Sequence, residues 1–408
     1  MNSEQIFAMG LGLSSPWKLE KLSFKETPGG RELHIEIDFE RGATFLDNSG
    51  KACKAHDTVD KTWRHLDFFQ HKCYLHCRVP RIKNSEGAVV LIETPWARKE
   101  SGFSLLFEAY ALKLIEGEMP VNKVAILLRE CAKRIWTIFN YWIKRSYEST
   151  PLGKIKQLGV DETSQKKGHK YITTAIDLEA KKVIHVVEGK DAKTLQKIAN
   201  HMISKGVDPD TVEHASIDLS PAFIKGLRDS FPKAEVHFDR FHVKKLLNEA
   251  MDEVRRAERR EHEELKGHKY TFLKNRNTLS KEKEESLAKL IILYPTLGEA
   301  YRLKTLFDEV WTMPSEDAAQ LFLESWMDEV IEKKINPFMK FAKTVMAHKT
   351  GIVNFVKTKI TNGIVEGINS KIQLAKRRAR GYRKTDNFIN MIYFLCGKLE
   401  FIYPLKTT

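Results

Sequence analysis

Three acidic residues stand in local settings suited to metal-dependent phosphoryl chemistry. Asp161 closes the apolar-leaning run Leu158-Gly159-Val160, and Asp218 closes a second one, Ala215-Ser216-Ile217. Glu366 lies far downstream, in TNGIVEGINSKIQ at 361–373. Carboxylate oxygens are the hard donors that Mg2+ and Mn2+ prefer. A pair of such ions stabilises both the attacking and the leaving oxygen of a phosphodiester displacement. Each aspartate also has a plainer reading as a turn or helix cap, and Asp218 stands just before Ser220-Pro221, where a helix would start. The shared placement after apolar runs, around one intervening helix, favours a common sheet edge. Two carboxylates crowded there repel each other, and bound cations relieve the repulsion.

The elements needed to position these groups are legible. Strand-like runs cover 155–160, 171–177 and 182–187, with the turn Lys166–Lys170 making the first two a hairpin. Asp191 caps an amphipathic helix to Lys205, with Gly206 as its stop. A strand at 212–217, a helix at 222–230 and a strand at 235–238 follow. Strand-strand-strand-helix-strand-helix-strand is the order of a ribonuclease-H-like α/β domain with a mixed five-stranded sheet. Phe238-Asp239-Arg240-Phe241-His242 ends the last strand with an Asp-x-x-His pair. Asp239 and His242 read either as outer-shell support for the site or as a satisfied structural pair. From His242 to His348 the pattern is helical and highly charged.

A last helix is expected from about Ile364 to Arg380, after a flexible lead-in at Asn362-Gly363. Helical spacing puts Glu366, Ser370, Gln373 and Arg377 on a polar face, with Ile364, Ile368, Ile372, Ala375 and Ala379 opposite. Lys371, Lys376, Arg377, Arg378, Arg380, Arg383 and Lys384 add positive charge with no acid until Asp386. An unmixed run of this kind reads as a phosphate-binding stripe. The cluster Arg255, Arg256, Arg259 and Arg260 is diluted by glutamates and reads as a helix laced with ion pairs.

Over the whole chain, 68 Lys+Arg against 54 Asp+Glu give a net charge of +14 and a pI near 9.3, which favours a polyanionic partner. With 42% hydrophobic residues in 408 the chain has material for two or three cores. Five irregularly placed cysteines exclude a disulfide framework and suit a reducing cytoplasm. The first residues lack the basic start of a signal peptide. No stretch approaches the ~18 apolar residues of a membrane span.

Upstream, residues 31–95 are β-rich. Residues 103–149 turn helical, and Pro120 opens a short helix (Val121, Val124, Leu127, Leu128) followed by a second (Ile135, Trp136, Phe139, Trp142). Two such helices suit a helix-turn-helix reader, or else a helical spacer. Cys53-x-x-His56 and Cys73-x-x-His76 have ligand-like spacing. In a strand, however, Cys73 and Cys77 share a face that His76 leaves, so buried free thiols are the expectation.

The ordered runs TWRHLDFF at 62–69, YLHCRVP at 74–80, PWAR at 95–98, VDET at 160–163, IDLSP at 217–221, FDRFHV at 238–243 and TNGIVEGINSKIQ at 361–373 resemble the ISL3 family of bacterial insertion-sequence transposases. The likeness runs from about residue 30 to 400. It implies a DDE transposase whose ribonuclease-H-like domain (151–400) is interrupted by a helical insertion at about 244–350. A β-rich module (1–100) and a helix-turn-helix-like segment (101–150) would precede it. It also implies Asp161, Asp218 and Glu366 as the metal triad, with two Mg2+ or Mn2+ ions per site. The implied partners are double-stranded DNA bearing the element's terminal inverted repeats, target DNA, and a second copy of the chain or a larger assembly. The family's N-terminal module usually carries two Cys-x-x-Cys zinc knuckles. Here those positions read LDNSG at 46–50 and KNSEG at 83–87, so no zinc is expected there. Rival readings are an idle, transposase-derived DNA-binding repressor and a cellular nuclease of the same fold.

Overall fold

The computed structural model describes residues 3–166, 170–358 and 363–400. Lys167–His169 of the expected hairpin turn and Asn362 of the expected lead-in lie outside them. The chain divides into two compact units, one up to Ser146 and joined by Glu400, the other Tyr147–Leu399.

In the first unit α1 (Ser3–Gly10) precedes β1 (Trp17–Thr27), β2 (Gly30–Phe39), β3 (Thr44–Leu46), β4 (Ala52–Phe68), β5 (His71–Lys83) and β6 (Val89–Leu91). These strands make a six-stranded sheet in the order β1-β2-β5-β4-β3, with β6 on β5. The sheet starts earlier than periodicity alone indicated, because the apolar residues of β1 (Trp17, Leu19, Leu22, Phe24) do not alternate strictly and the strand is defined by its pairing with β2 along its length. Alternation on β5 sends Cys73, Leu75, Cys77 and Val79 into a core with Trp17, Trp63 and Trp96. His76 faces the other way, where it meets His34 Nδ1 at 2.7 Å and the Thr62 hydroxyl at 2.9 Å. Cys73 and Cys77 are free thiols, and burial pushes both up to about 12.

Three helices follow: α2 (Leu105–Glu116), α3 (Val121–Leu127) and α4 (Ala132–Ser149). Glu108 of α2 is 0% exposed, which would be costly without partners. It accepts hydrogen bonds from Arg98 Nε, the Ser101 hydroxyl and Trp142 Nε1 of α4, which fixes the angle between the helices. Ile135, Ile138, Phe139, Trp142 and Ile143 form the buried stripe of α4. Two expected core positions differ: Trp136 is half-buried, and Leu127 is exposed together with Ile126. α3 is only two turns long and buries Val121, Val124 and Ala125 instead.

The second unit is built on β7 (Gln157–Lys166), β8 (Lys170–Asp177), β9 (Lys182–Glu188), α5 (Ala192–Ser204), β10 (His214–Ile217), α6 (Pro221–Ser230) and β11 (Glu235–Phe238). The element order is the one read from periodicity. The five-stranded sheet runs β11-β10-β7-β8-β9. β7, β8 and β9 form an antiparallel meander, whereas β10 is parallel to both β7 and β11. Alternate residues Leu158, Val160, Ala215 and Ile217 share a core with α5 and α6. Gly159, Asp161 and Thr163 point to the opposite face.

Among the described residues, every regular element between β11 and the last two helices is helical, the α-helices being α7 (Arg240–Glu258), α8 (Lys269–Leu273), α9 (Lys281–Leu293), α10 (Pro295–Phe307), α11 (Glu316–Lys333), α12 (Asn336–Ala347) and α13 (Lys349–Thr358). Phe307, Trp326 and Phe341 pack edge to face with centroids 4.9–5.8 Å apart, within a hydrophobic core that is continuous with that of the sheet. α14 (Gly363–Arg378) and α15 (Thr385–Cys396) then return to the sheet. No helix among the described residues is long and apolar enough to cross a membrane.

Candidate catalytic site and nucleic-acid interface

Register decides which side chains meet. Parallel pairing sets Ser216 opposite Gly159 and Ile217 opposite Phe238. Continuing those ladders by one or two residues puts Asp161, Asp218 and Asp239 in one row across three strands, and in-register residues of parallel strands face the same way. The backbone bond from Asp239 N to Ile217 O, 3.2 Å, carries the ladder that far. Asp161 is not at a strand tip as expected. β7 continues to Lys166, because Glu162–Lys166 pairs with β8 despite its polarity. Asp161 instead lies two residues beyond the segment of β7 that pairs with β10.

Asp218 is not the cap of α6. Ser220 holds that position with Pro221 in the first turn. Asp218 instead meets His242 Nδ1 at 2.9 Å, and His242 Nδ1 also lies 2.9 Å from Asp239 Oδ2. Asp239 in turn caps α7 by accepting from Phe241 N at 2.8 Å. Asp218, Asp239 and His242 hold their donor atoms within 4.8 Å of one another, close enough to bind a metal ion. Burial alone would lower the His242 pKa, but hydrogen bonds and charge from Asp218 and Asp239 outweigh it and raise the group to about 10. A cation is thus already lodged between two carboxylates.

This gives a testable pH dependence. A raised imidazole contributes stability that is fully present below its unfolded value near 6.5 and is lost as pH rises through about 10. His242→Ala is expected to destabilise the metal-free protein by ~2 kcal/mol at pH 6, the scale of hydrogen bonds to charged groups. The deficit should shrink toward pH 10. Denaturant melts at both pH values check this, and an unchanged deficit would count against the bridging role.

Burial, then the charge of Asp218, raise Asp161 to about 6, while bonds from Asn369 and from Glu162 N oppose the rise. Asn369 comes from α14, which lies along β7. Val365 sits over Gly159, where a Cβ would approach its methyl to 3.1 Å. One turn on, Asn369 Nδ2 donates to Asp161, and its Oδ1 accepts from the buried Thr163 hydroxyl at 3.5 Å. Further along, Lys376 Nζ donates to the Ser164 carbonyl, and past the helix the Thr385 hydroxyl donates to Gln165 Oε1 at 3.1 Å. The buried face of α14 is therefore Val365, Ile368 and Ile372, while Ile364, Ala375, Ala379 and Gln373 are only half-buried. Apolar spacing misplaced this face because polar Asn369 and Lys376 belong to it.

Glu366 is exposed in the first turn of α14, between Val365 and Asn369, so its helix is docked beside Asp161. It lies outside the Asp218–Asp239–His242 cluster. Asn369 was not singled out in the sequence, although its i+3 spacing from Glu366 was available as a signal.

Lys371, Arg377, Arg378, Arg380, Arg383 and Lys384 are exposed, whereas Lys376 is half-buried and engaged with Ser164. In the first unit α4 exposes Lys133, Thr137, Tyr141 and Lys144 along one face. These spacings of four, four and three make a continuous stripe opposite the buried one. Sequence reasoning found the helix but not this stripe.

The chain matches the ISL3 transposase DDE family, described as a transposase, over residues 158–392, and the helix-turn-helix domain of transposase family ISL3 over 92–143. It is 23% identical to the transposase for insertion sequence element IS1557 of Mycobacterium tuberculosis, an alignment covering 95% of this chain and 94% of that one. It is 24% identical to the transposase for insertion sequence element IS1001 of Bordetella parapertussis, covering 93% and 95%.

Proposed function

This chain belongs to the ISL3 family of transposases, and from that premise we propose that it cuts DNA at the terminal inverted repeats of its own insertion sequence and joins the freed ends to target DNA. The observation that carries this reading is the row of Asp161, Asp218 and Asp239 with α14 stapled beside it. The sheet order, with three antiparallel strands followed by two parallel ones, supports a ribonuclease-H-like assignment of residues 151–400.

The donor set fits hard divalent cations. Burial and then the charge of Asp218 hold Asp161 up to about 6, and Asp218 with Asp239 already draws a proton onto His242. Mg2+ or Mn2+ held by Asp161, Asp218 and Glu366 would supply charge stabilisation for the attacking and leaving oxygens. Within this reading, the protein's part is positioning. Asn369 fixes the rotamer of Asp161, His242 and Asp239 hold Asp218, and the docking of α14 brings in Glu366. α4 would enter the major groove with Lys133, Thr137, Tyr141 and Lys144, selecting the ends. The exposed residues of 371–384 would hold backbone phosphates, and pairing of two ends favours a homodimer or larger assembly.

Purified protein, Mg2+ and DNA carrying the flanking repeats should yield joined products. Cleaved but never joined ends would favour a nuclease, and end binding without cleavage would favour a repressor. The basic residues have a separate test. Replacing Lys371, Arg377 and Arg380 by alanine should flatten the slope of log K against log salt by about one per lost phosphate contact. Lys376→Ala should leave that slope unchanged and lower thermal stability instead, since it strands the Ser164 carbonyl.

A further inference from the structure

A second donor cluster lies on the same face of the sheet, toward the opposite ends of β10 and β11 and outside the machinery above. His214 stands opposite Glu235 in the parallel ladder, and His237, two residues further along β11, faces the same way. His214 Nδ1 is 3.1 Å from His237 Nε2 and 3.5 Å from Glu235 Oε2. The three donor atoms all lie within 4.8 Å of one another. His237 is 1% exposed, which anchors the cluster, while the Glu235 side chain is 45% exposed and leaves a path for an ion to enter.

The spacing is informative. Bonds of about 2.0–2.1 Å at a tetrahedral centre put neighbouring donors roughly 3.3 Å apart. The two separations here bracket that value without any movement of the strands. Two imidazoles with one carboxylate also suit a borderline-soft ion such as zinc better than Mg2+, which prefers oxygen. We propose that His214, Glu235 and His237 form a zinc site with three protein ligands and a fourth position open to solvent. The ion would pin β10 to β11 two rows before Asp218 and Asp239, fixing the register on which the carboxylate row depends. The missing cysteine knuckles of the N-terminal module do not bear on this site, which uses other ligands in the other unit.

The test uses the full chain, stripped by chelation and titrated with Zn2+ alone against a chromophoric chelator, with Co2+ absorption reporting coordination. Wild type should take up one tight equivalent and show the intense visible bands of four-coordinate Co2+. His214→Gln and Glu235→Gln should each weaken that equivalent by about tenfold or more and dim the bands. Asp218→Asn, which disables the other cluster, should leave both intact. Because His237 is buried, His237→Gln is not relied on, and thermal melts verify that the other variants fold. Wild-type affinity no tighter than that of His214→Gln would overturn the proposal. So would loss of the tight equivalent in Asp218→Asn, which would place the ion among the aspartates.

Discussion

Asp161→Asn should reduce strand cleavage by about a thousandfold or more, while binding of end DNA changes little. The rate estimate follows from the role proposed for Asp161, a group acting on charge that develops in the reaction. Binding should survive because α4 and its exposed stripe belong to the other unit. The same variant should be more stable than wild type without metal at pH 8, and the sign can be worked out. The Asp161 pKa is raised from 3.8 to about 6, so between those values the folded state holds more protons than the unfolded one. The associated stability is full below 3.8 and is lost as pH rises through 6. Asparagine keeps the shape without that penalty. Scaled for its partial exposure, the gain is ~1–2 kcal/mol. Added Mg2+ should raise the melting temperature of wild type and much less that of the variant. Full-rate cleavage by Asp161→Asn would dismiss the residue from the reaction.

The second large effect comes from a residue with no functional group. Gly159 lies beneath α14, and any Cβ there would come within 2.7 Å of the Leu178 side chain and 3.1 Å of Val365. Leu178 can swing its terminal methyl aside, but Val365 is fixed in the first turn of α14. Gly159→Val should therefore displace that turn, and Glu366 with it. A misplacement of about 1 Å costs roughly a hundredfold in rate, and overpacking costs ~1–3 kcal/mol in stability. Cleavage assays with matched melts separate the two effects. Wild-type cleavage by Gly159→Val would mean that β7 does not position the helix.

The strands and helices of the second unit were legible because the strands are short β-branched, apolar-leaning runs between turns, as in Tyr171–Asp177, and the helices repeat apolar residues at helical spacing, as in Asp191–Lys205. The tail of β7 was not, since Glu162–Lys166 is polar and becomes a strand only by pairing with β8. The aspartate row was half legible. Asp161 and Asp218 follow apolar runs, but their alignment with Asp239 depends on pairing between strands, which no local pattern encodes. On α14 the apolar residues pointed to a packed face. Its centre was shifted because Asn369 and Lys376 dock through hydrogen bonds, and hydrophobic periodicity does not register those. His242 was visible as part of an Asp-x-x-His pair, yet its place between two carboxylates required the turn from β11 into α7 to be seen.

The long helical block between β11 and α14 carries a consequence for synthesis. The helices of the matched helix-turn-helix segment are translated first, the aspartates come next, and Glu366 and Asn369 of α14 emerge only after the seven α-helices α7–α13 of the described residues. Under the function proposed above, a ribosome that stalls within that block, or a frameshift there, would release a polypeptide that keeps the end-reading helices but lacks Glu366 and Asn369. Such a fragment would compete with intact copies for the same ends, so mistranslation of this gene would itself restrain the element's spread.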